Sequence, residues 1–284
     1  VSVRVAVMGY LSIDTIDVAG ARHAAVPGGA ALYAALGAAA AGARATLHVT
    51  AGEDFPRATL DRIGQLRIDT SAIRQGAGAS RRAQLVYGAT DPPASPHHDE
   101  AAWWDATARL APTLPDAWTG IDMLVLAPMP IARLQEAVAT ATRHGVRSIA
   151  DTSTAFAARD ADGLLALLPA LHAFAPSRAE TEALFPTLDE DSAVLLLAQY
   201  GPAILHKRGA DGARLDAPHM VAPLDLPAPR VAVRDPTGAG DATVGAFAAG
   251  LAAGLSLRIA AEHALEIGAR ACTGIGPSAL GLPA

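Results

Sequence analysis

Asp235 to Leu251 reads DPTGAGDATVGAFAAGL: two glycines around one alanine, an aspartate, then an unbroken run of small, mostly apolar residues. Pro236 disfavours helix at Asp235. Gly238 and Gly240 allow a tight turn, and Asp241 falls where a helix would start. Ala242, Gly245, Ala246, Ala249 and Gly250 predict a helix that packs close to its neighbours. The free N–H groups at such a start, around Gly238, Ala239 and Gly240, point outward and attract anions. An aspartate beside an anion hole is costly unless it has a task. One such task is to take a proton from a hydroxyl that attacks a bound phosphate. A glycine-rich strand-to-helix turn with no ligand is the plain alternative. A dinucleotide-binding turn fits less well, because Thr243 stands where the third glycine of G-x-G-x-x-G belongs, and no G-x-x-x-x-G-K-[ST] loop occurs.

The same segment resembles the C-terminal signature of the ribokinase family, the PfkB family of carbohydrate and nucleoside kinases. The resemblance implies that Gly238, Ala239 and Gly240 form the anion hole and that Asp241 is the catalytic base. The N-terminal half is similar to the family as well. GYLSIDT places Asp14 after the first predicted strand, and PGGAALYAALG supplies Gly28 and Gly29. By resemblance these hold substrate hydroxyls; a carboxylate accepts hydrogen bonds from a diol, and glycines permit close backbone approach. A turn or cap role is the alternative for Asp14. Tyr33 stands where the family commonly has Asn, so a ring replaces an amide beside the substrate, or the ring simply packs in the core with its hydroxyl bonded.

Further matches follow. APSRAETEALF resembles the N-x-x-E motif, with Ser177 in place of Asn and Glu180 as the acid that organises Mg²⁺ through water; a first-turn acid favouring the helix dipole is the other reading. Asp151 ends a predicted strand where the family often carries an aspartate. HKRGADGARL is similar to the strand and turn that lie along ATP, which implies that Lys207 and Gly209 approach the nucleotide, Lys207 as a point charge; a solvated basic turn is its alternative. Thr237 and Gly276 are placed at the same nucleotide end. Asp235, with the loop around Gly276, is implied to form a K⁺ site. The activity implied is ATP-dependent phosphorylation of a hydroxyl on a sugar or related polyol. A nucleoside or inositol kinase is the alternative, and a non-catalytic sugar or nucleotide sensor the alternative of another class, though a sensor has no need of the base.

The elements that must position these groups alternate. Short strands are predicted at Val3 to Met8, Ala45 to Thr50, Met123 to Leu126, Arg147 to Ala150, His172 to Ala175 and Ala203 to His206, and Val231 to Val233 feeds the anion-hole helix. Helices are predicted at Ala30 to Ala41, Pro56 to Leu66, Ile131 to His144, from Ser177, and at Leu257 to Cys272. This rhythm predicts a mainly parallel sheet covered on both faces, with ligands beyond the carboxyl ends of the strands. The family resemblance makes it a ribokinase-like three-layer α/β/α sandwich, one domain over 1–284. Two strand-like pieces, Thr15 to Val18 and Arg82 to Tyr87, break the rhythm. By resemblance they belong to a small β-lid with segments near 12–25 and 78–100, which would exclude water when closed.

Composition narrows the partners. The 284 residues are 51% hydrophobic, enough for a sizeable core. The net charge of −6 and the lack of a basic block argue against nucleic acid. A single cysteine, Cys272, rules out an internal disulfide and fits a reducing, cytoplasmic setting. No signal-peptide pattern is visible, and the uncharged stretch His23 to Ala43 is broken by Pro27-Gly28-Gly29, so a membrane partner is not expected. The expected partners are a small-molecule substrate and ATP, with pairing of two copies through the lid as a further expectation. His97-His98-Asp99-Glu100 reads as a solvated loop, Trp103-Trp104 as packing of the lid, a subunit contact or a substrate stack, and Cys272 as a small core residue.

Overall fold

The computed structural model describes residues 2–88 and 101–284. The predicted His97-His98-Asp99-Glu100 loop lies outside the described residues. The central sheet holds strands β1 (Arg4–Met8), β4 (Arg44–His48), β6 (Ile68–Asp69), β9 (Met123–Leu126), β10 (Arg147–Ala150), β11 (Ala173–Phe174), β12 (Ala203–Lys207), β13 (Ala213–Asp216) and β14 (Leu224–Leu226). Their order is β14-β13-β12-β11-β10-β9-β1-β4-β6. From β12 to β6 every pairing is parallel; β13 and β14 are antiparallel additions at one edge.

Because side chains alternate along a strand, a buried parallel sheet must feed two cores. Val5 and Val7 of β1 and Met123 and Val125 of β9 enter one, with helices α1 (Ala30–Ala40), α9 (Ala239–Ala252) and α10 (Leu257–Ala271). Ala6, Met8, Leu124 and Leu126 enter the other, with α4 (Ile131–Arg143), α6 (Ala161–Leu167), α7 (Arg178–Leu184) and α8 (Glu190–Gln199). The result is the expected three-layer sandwich with a mainly parallel sheet. Helices α2 (Arg57–Gly64), α3 (Ala101–Arg109) and α5 (Thr154–Arg159) and a two-stranded pair, β5 (Thr50–Ala51) with β7 (Arg74–Gln75), complete the described elements longer than a single turn.

A separate three-stranded sheet stands apart from the main one, in the order β3-β2-β8. It contains β2 (Ser12–Val18) and β8 (Gln84–Val86), within the two pieces that broke the sequence rhythm, plus β3 (Ala21–Gly28). β3 is an edge strand, which is where Pro27 can sit without costing a ladder hydrogen bond. The β2–β3 register shifts between Asp14 and Ile16. Such an irregularity re-aims a side chain, and here it falls at Asp14.

Val231 to Val233, expected to feed the anion-hole helix, leads toward it outside any strand, with Val233 62% exposed. One expectation needs correction: Asp241 does not start its helix. Gly238 is the N-cap, with φ 72 and ψ 3, and α9 begins at Ala239, so Asp241 occupies its third position.

Candidate active site

Helices α1 and α9 cross through glycine. A Cβ on Gly37 would overlap the Ala242 carbonyl, and one on Gly245 would overlap the Ala34 carbonyl. The two backbones therefore touch, and one turn earlier on each helix Tyr33 lies against Gly238. A Cβ there would come closer than 3.0 Å to three ring carbons of Tyr33. The small-residue pattern of both helices thus fixes the turn at Gly238 against the ring at Tyr33.

Asp235 pins the same turn. It is fully buried; Oδ1 accepts from Thr237 N at 2.9 Å and Oδ2 from Gly276 N at 2.6 Å. Gly276 opens a single-turn helix, Gly276–Leu280, near Val26 and Tyr33. The hydroxyl of Thr237 donates to that of Tyr87, just past β8, at 2.9 Å, which ties the lid to the turn. Ala239 N donates to Pro236 O at 3.2 Å. Its N–H is therefore taken, and the outward donors are those of Gly238, Gly240 and Asp241, which have no backbone partner among the described residues.

The carboxyl ends of five parallel strands converge on this point. After β1 come Tyr10 and Ser12, after β9 Pro128, after β10 Asp151 to Ser153, after β11 Ser177 and Glu180, and β12 ends at Lys207. A cavity of about 320 Å³ is lined by Asp14, Gly29, Tyr33, Glu180, Thr237, Gly238 and Asp241, and also by Tyr10, Arg81, Arg82, Trp103 and Phe156. A wider hollow of about 890 Å³ lies at the amino ends of β1 and β4, lined by Arg4, Arg44 and Arg67. It contains none of the predicted site residues.

Next to Glu180 and Gly240 a lysine is ringed by acids. Lys207 Nζ donates to Asp151 Oδ2 at 2.6 Å and lies 4.0 Å from Glu180 Oε2. Its stem runs against Gly240. Burial opposes the lysine charge, but Asp151, Glu180 and Asp241 outweigh it and hold its pKa up to about 12. One ammonium does not balance three carboxylates. Burial, with the charge of Asp151, pushes Asp241 up to about 7 against the pull of Lys207. Burial likewise pushes Glu180 to about 7. Glu180 also closes a capping box: Ser177 N donates to its Oε2 at 2.6 Å, and the Ser177 side chain accepts from Glu180 N. Both readings of Glu180 are thus compatible, since the capping bond uses only one carboxylate oxygen.

Asp14, on the same cavity wall as Asp241, is buried, its Oδ1 without a hydrogen-bond partner. Burial lifts its pKa to about 6 against the hydrogen bond from Ser12 and the charge of Arg81. Its Oδ2 lies over Gly28, the last residue of β3, and Gly29 caps α1. The hydroxyl of Tyr33 is also buried and unpartnered. Burial and the nearby charges of Asp14 and Asp235 keep it protonated. A buried acceptor and a buried hydroxyl with no partners are costly unless a ligand supplies them.

Of the predicted residues, Gly209 stands apart. It is exposed, opens the single-turn helix Gly209–Asp211 after β12, and does not line the cavity. Arg81, Tyr10 and Phe156 were not predicted. Arg81-Arg82 before an exposed strand reads as a solvated basic pair, and nothing in their spacing places one inside a cavity.

These features match known proteins. The sequence model of the pfkB family carbohydrate kinases matches residues 4–284. The chain is 28% identical over 275 residues to a cytidine kinase of Thermococcus kodakarensis, covering 92% of this chain and 94% of that one. The fold superposes on a Burkholderia thailandensis nucleoside kinase solved with inosine, at a TM-score of 0.79 and 20% identity, covering 96% of this chain and 91% of the other. It also superposes on an E. coli ribokinase-type protein solved with ATP and Mg²⁺, at a TM-score of 0.78 and 19% identity, covering 98% and 94%. The chain belongs to the pfkB carbohydrate kinase family. It is an ATP-dependent kinase of a sugar or nucleoside, a phosphotransferase with an alcohol group as acceptor. No described helix is long and apolar enough to cross a membrane.

Proposed function

We propose that this kinase transfers the γ-phosphoryl group of ATP to a sugar hydroxyl of a nucleoside. The observation that carries the reading is one cavity that holds both unpartnered polar atoms and aromatic rings. Asp14 Oδ1 and the Tyr33 hydroxyl, both unpartnered, line it together with Asp241 and suit sugar hydroxyls. The rings of Tyr10, Trp103 and Phe156 line the same cavity, with Trp103 and Phe156 centroids 5.9 Å apart, and offer apolar surface to a flat base. Tyr33, a ring where the family commonly has an amide, favours the same substrate over free ribose. The cytidine kinase of Thermococcus kodakarensis and the inosine-bound Burkholderia protein are consistent with it.

In this reading Asp14 orients the acceptor and Asp241 takes its proton. A base poised near the working pH suits that step. The N–H groups of Gly238, Gly240 and Asp241 hold negative charge as it builds on the phosphoryl oxygens, and Lys207 lies beside them as a point charge. Thr237 and Gly276 shape this end through Asp235, and Gly209 flanks the nucleotide from outside the cavity. The charge balance fits a Mg²⁺-nucleotide, because the buried acids exceed the single lysine. Among the described residues no cluster of three or more His, Cys, Asp or Glu could hold a metal alone. Mg²⁺ commonly uses one or two carboxylates, phosphate and water, and Glu180 and Asp151 would supply the carboxylates. When bound, it would offset the charge of the nucleotide phosphates.

Two outer parts of the reading have separate tests. A K⁺ ion beside Asp235 would share a carboxylate that already accepts from Thr237 and Gly276; rates compared in K⁺ and a bulky organic cation decide it. Pairing of two copies through the lid is read from light scattering of wild-type protein. The main test is ADP release over cytidine, uridine, inosine, adenosine, ribose, fructose and inositol. A kcat/KM for at least one nucleoside above every plain sugar and inositol supports the proposal; a plain sugar or inositol at the top overturns it.

A further inference from the structure

Arg81 and Arg82 both line the cavity and have no role so far, and Arg81 is the one without an ion-pair partner among the described residues. It follows the lid segment into β8, and its backbone is held by Ile13 N donating to its carbonyl at 2.9 Å. Its guanidinium carbon lies 4.1 Å from the Tyr10 ring centroid and 4.4 Å from that of Trp103. Its buried Nε–H has no hydrogen-bond partner, and the side chain makes no ion pair within 4 Å among the described residues. Burial lowers its pKa, opposed by Tyr10 and Asp14, but only to about 10, so it stays charged. Its neighbour Arg82 is more exposed and pairs with Asp54.

Two rings fix the plane of this guanidinium, so its in-plane N–H groups point in set directions. A fork fixed in this way recognises two adjacent acceptors on a flat partner, as an arginine does with O6 and N7 of guanine. Asp14, Glu180 and Asp241 line the same cavity. Three carboxylates against one unpaired guanidinium make a poor site for a second anion, which argues for a neutral partner. We infer that Arg81 is a specificity-determining residue that selects nucleosides whose base offers two neighbouring acceptors. Cytosine does so with O2 and N3; guanine and hypoxanthine do so with O6 and N7. Uracil and adenine place a donor beside the acceptor and leave one N–H unmet. The inference rests on the nucleoside reading and goes beyond it.

The test compares kcat/KM for cytidine against uridine and for inosine against adenosine, in wild type, Arg81→Met and Arg81→Lys. Wild type should favour cytidine and inosine by roughly 5- to 150-fold, the discrimination of one bidentate pair. Arg81→Met should bring both ratios near unity while KM for ATP stays unchanged. Arg81→Lys, with the charge but no fork, should do the same. 3-Deazacytidine, which lacks the N3 acceptor, should fall by the same factor in wild type, and this arm decides even if a variant fails to fold. Ratios unchanged in Arg81→Met, or 3-deazacytidine used as well as cytidine, overturn the inference and leave the nucleoside reading standing. Preference for ribose 5-phosphate over every nucleoside, lost in Arg81→Met, would assign Arg81 to an anion instead. Turnover of plain sugars and of no nucleoside removes the nucleoside reading itself.

Discussion

Replacing Gly238 by alanine tests how the helix crossing builds the anion hole. The substitution does two separable things. It places an L side chain at φ 72, which costs about 1–2 kcal/mol. It also drives a Cβ closer than 3.0 Å to three carbons of the Tyr33 ring, an overpacking cost of about 1–3 kcal/mol. Tyr33 cannot retreat easily, because it is 2% exposed and α1 is locked to α9 at Gly37 and Gly245. Gly238→Ala should therefore destabilise by about 2–5 kcal/mol. In a Tyr33→Ala background only the backbone part remains, so the same substitution should cost about 1–2 kcal/mol. The coupling between the two sites, about 1–3 kcal/mol, is read from a double-mutant cycle by urea unfolding of all four proteins. Turnover should fall in Gly238→Ala in both backgrounds, since the αL cap also aims the Gly240 and Asp241 N–H groups. A coupling under about 0.5 kcal/mol, within the usual error of additivity, would refute the claim that the ring rests on this glycine.

Three further outcomes are expected. Asp241→Asn should lower turnover by about 10²–10⁴ while raising the melting temperature of nucleotide-free protein at pH 8. The sign follows from a carboxyl whose folded pKa is raised to about 7: its stabilisation is complete only below the unfolded value near 4 and is lost as pH rises through 7. A gain in melting temperature at pH 5 as large as that at pH 8 would contradict it. In wild type, kcat/KM should climb with pH and level off above about 7, and a flat profile from pH 5 to 8 would remove Asp241 as the base. Asp14→Ala should raise KM for the acceptor, not for ATP, by the roughly 1.5–3 kcal/mol of a charged hydrogen bond; equal effects on both substrates would make Asp14 merely structural.

The strands buried on both faces were legible because they are short, β-branched and bounded by turns. β9 and β10 coincide with the predicted spans, and β1 differs by one residue. Edge elements were not. β3 carries His23, three alanines and Pro27, with no alternation and no propensity to betray it; its partner β2 and the lid context make it a strand. Asp241 was found by motif, but its place two residues inside the helix depends on the αL geometry of Gly238, which a sequence permits and does not specify. Asp14 and Tyr33 were named from sequence, yet their orphaned polar atoms emerge only from packing. Arg81 was illegible because its meaning comes from Tyr10 and Trp103, which are 71 residues before it and 22 after it in the chain.

The charge arrangement of the site explains why its parts belong together. Lys207 is held charged by Asp151 at 2.6 Å, which leaves Glu180 and Asp241 to share the remaining influence of one ammonium. A protein selected for stability alone would replace one of these acids, since uncompensated buried charge is expensive. Keeping them makes sense when the missing positive charge arrives with the substrate. A divalent cation accompanying nucleotide phosphates would relieve Glu180 and Asp151, and the attacking hydroxyl would give Asp241 its proton. The same logic applies to Asp14 Oδ1, the Tyr33 hydroxyl and the Arg81 Nε–H, each of which lacks a partner. Each unmet group asks for its complement: a hydroxyl donor for the carboxylate, a hydrogen-bond partner for the tyrosine hydroxyl, an acceptor for the guanidinium. A nucleoside carries all three within one molecule, sugar hydroxyls at one end and base acceptors at the other, whereas a plain sugar would leave the guanidinium beside its two rings with no flat partner.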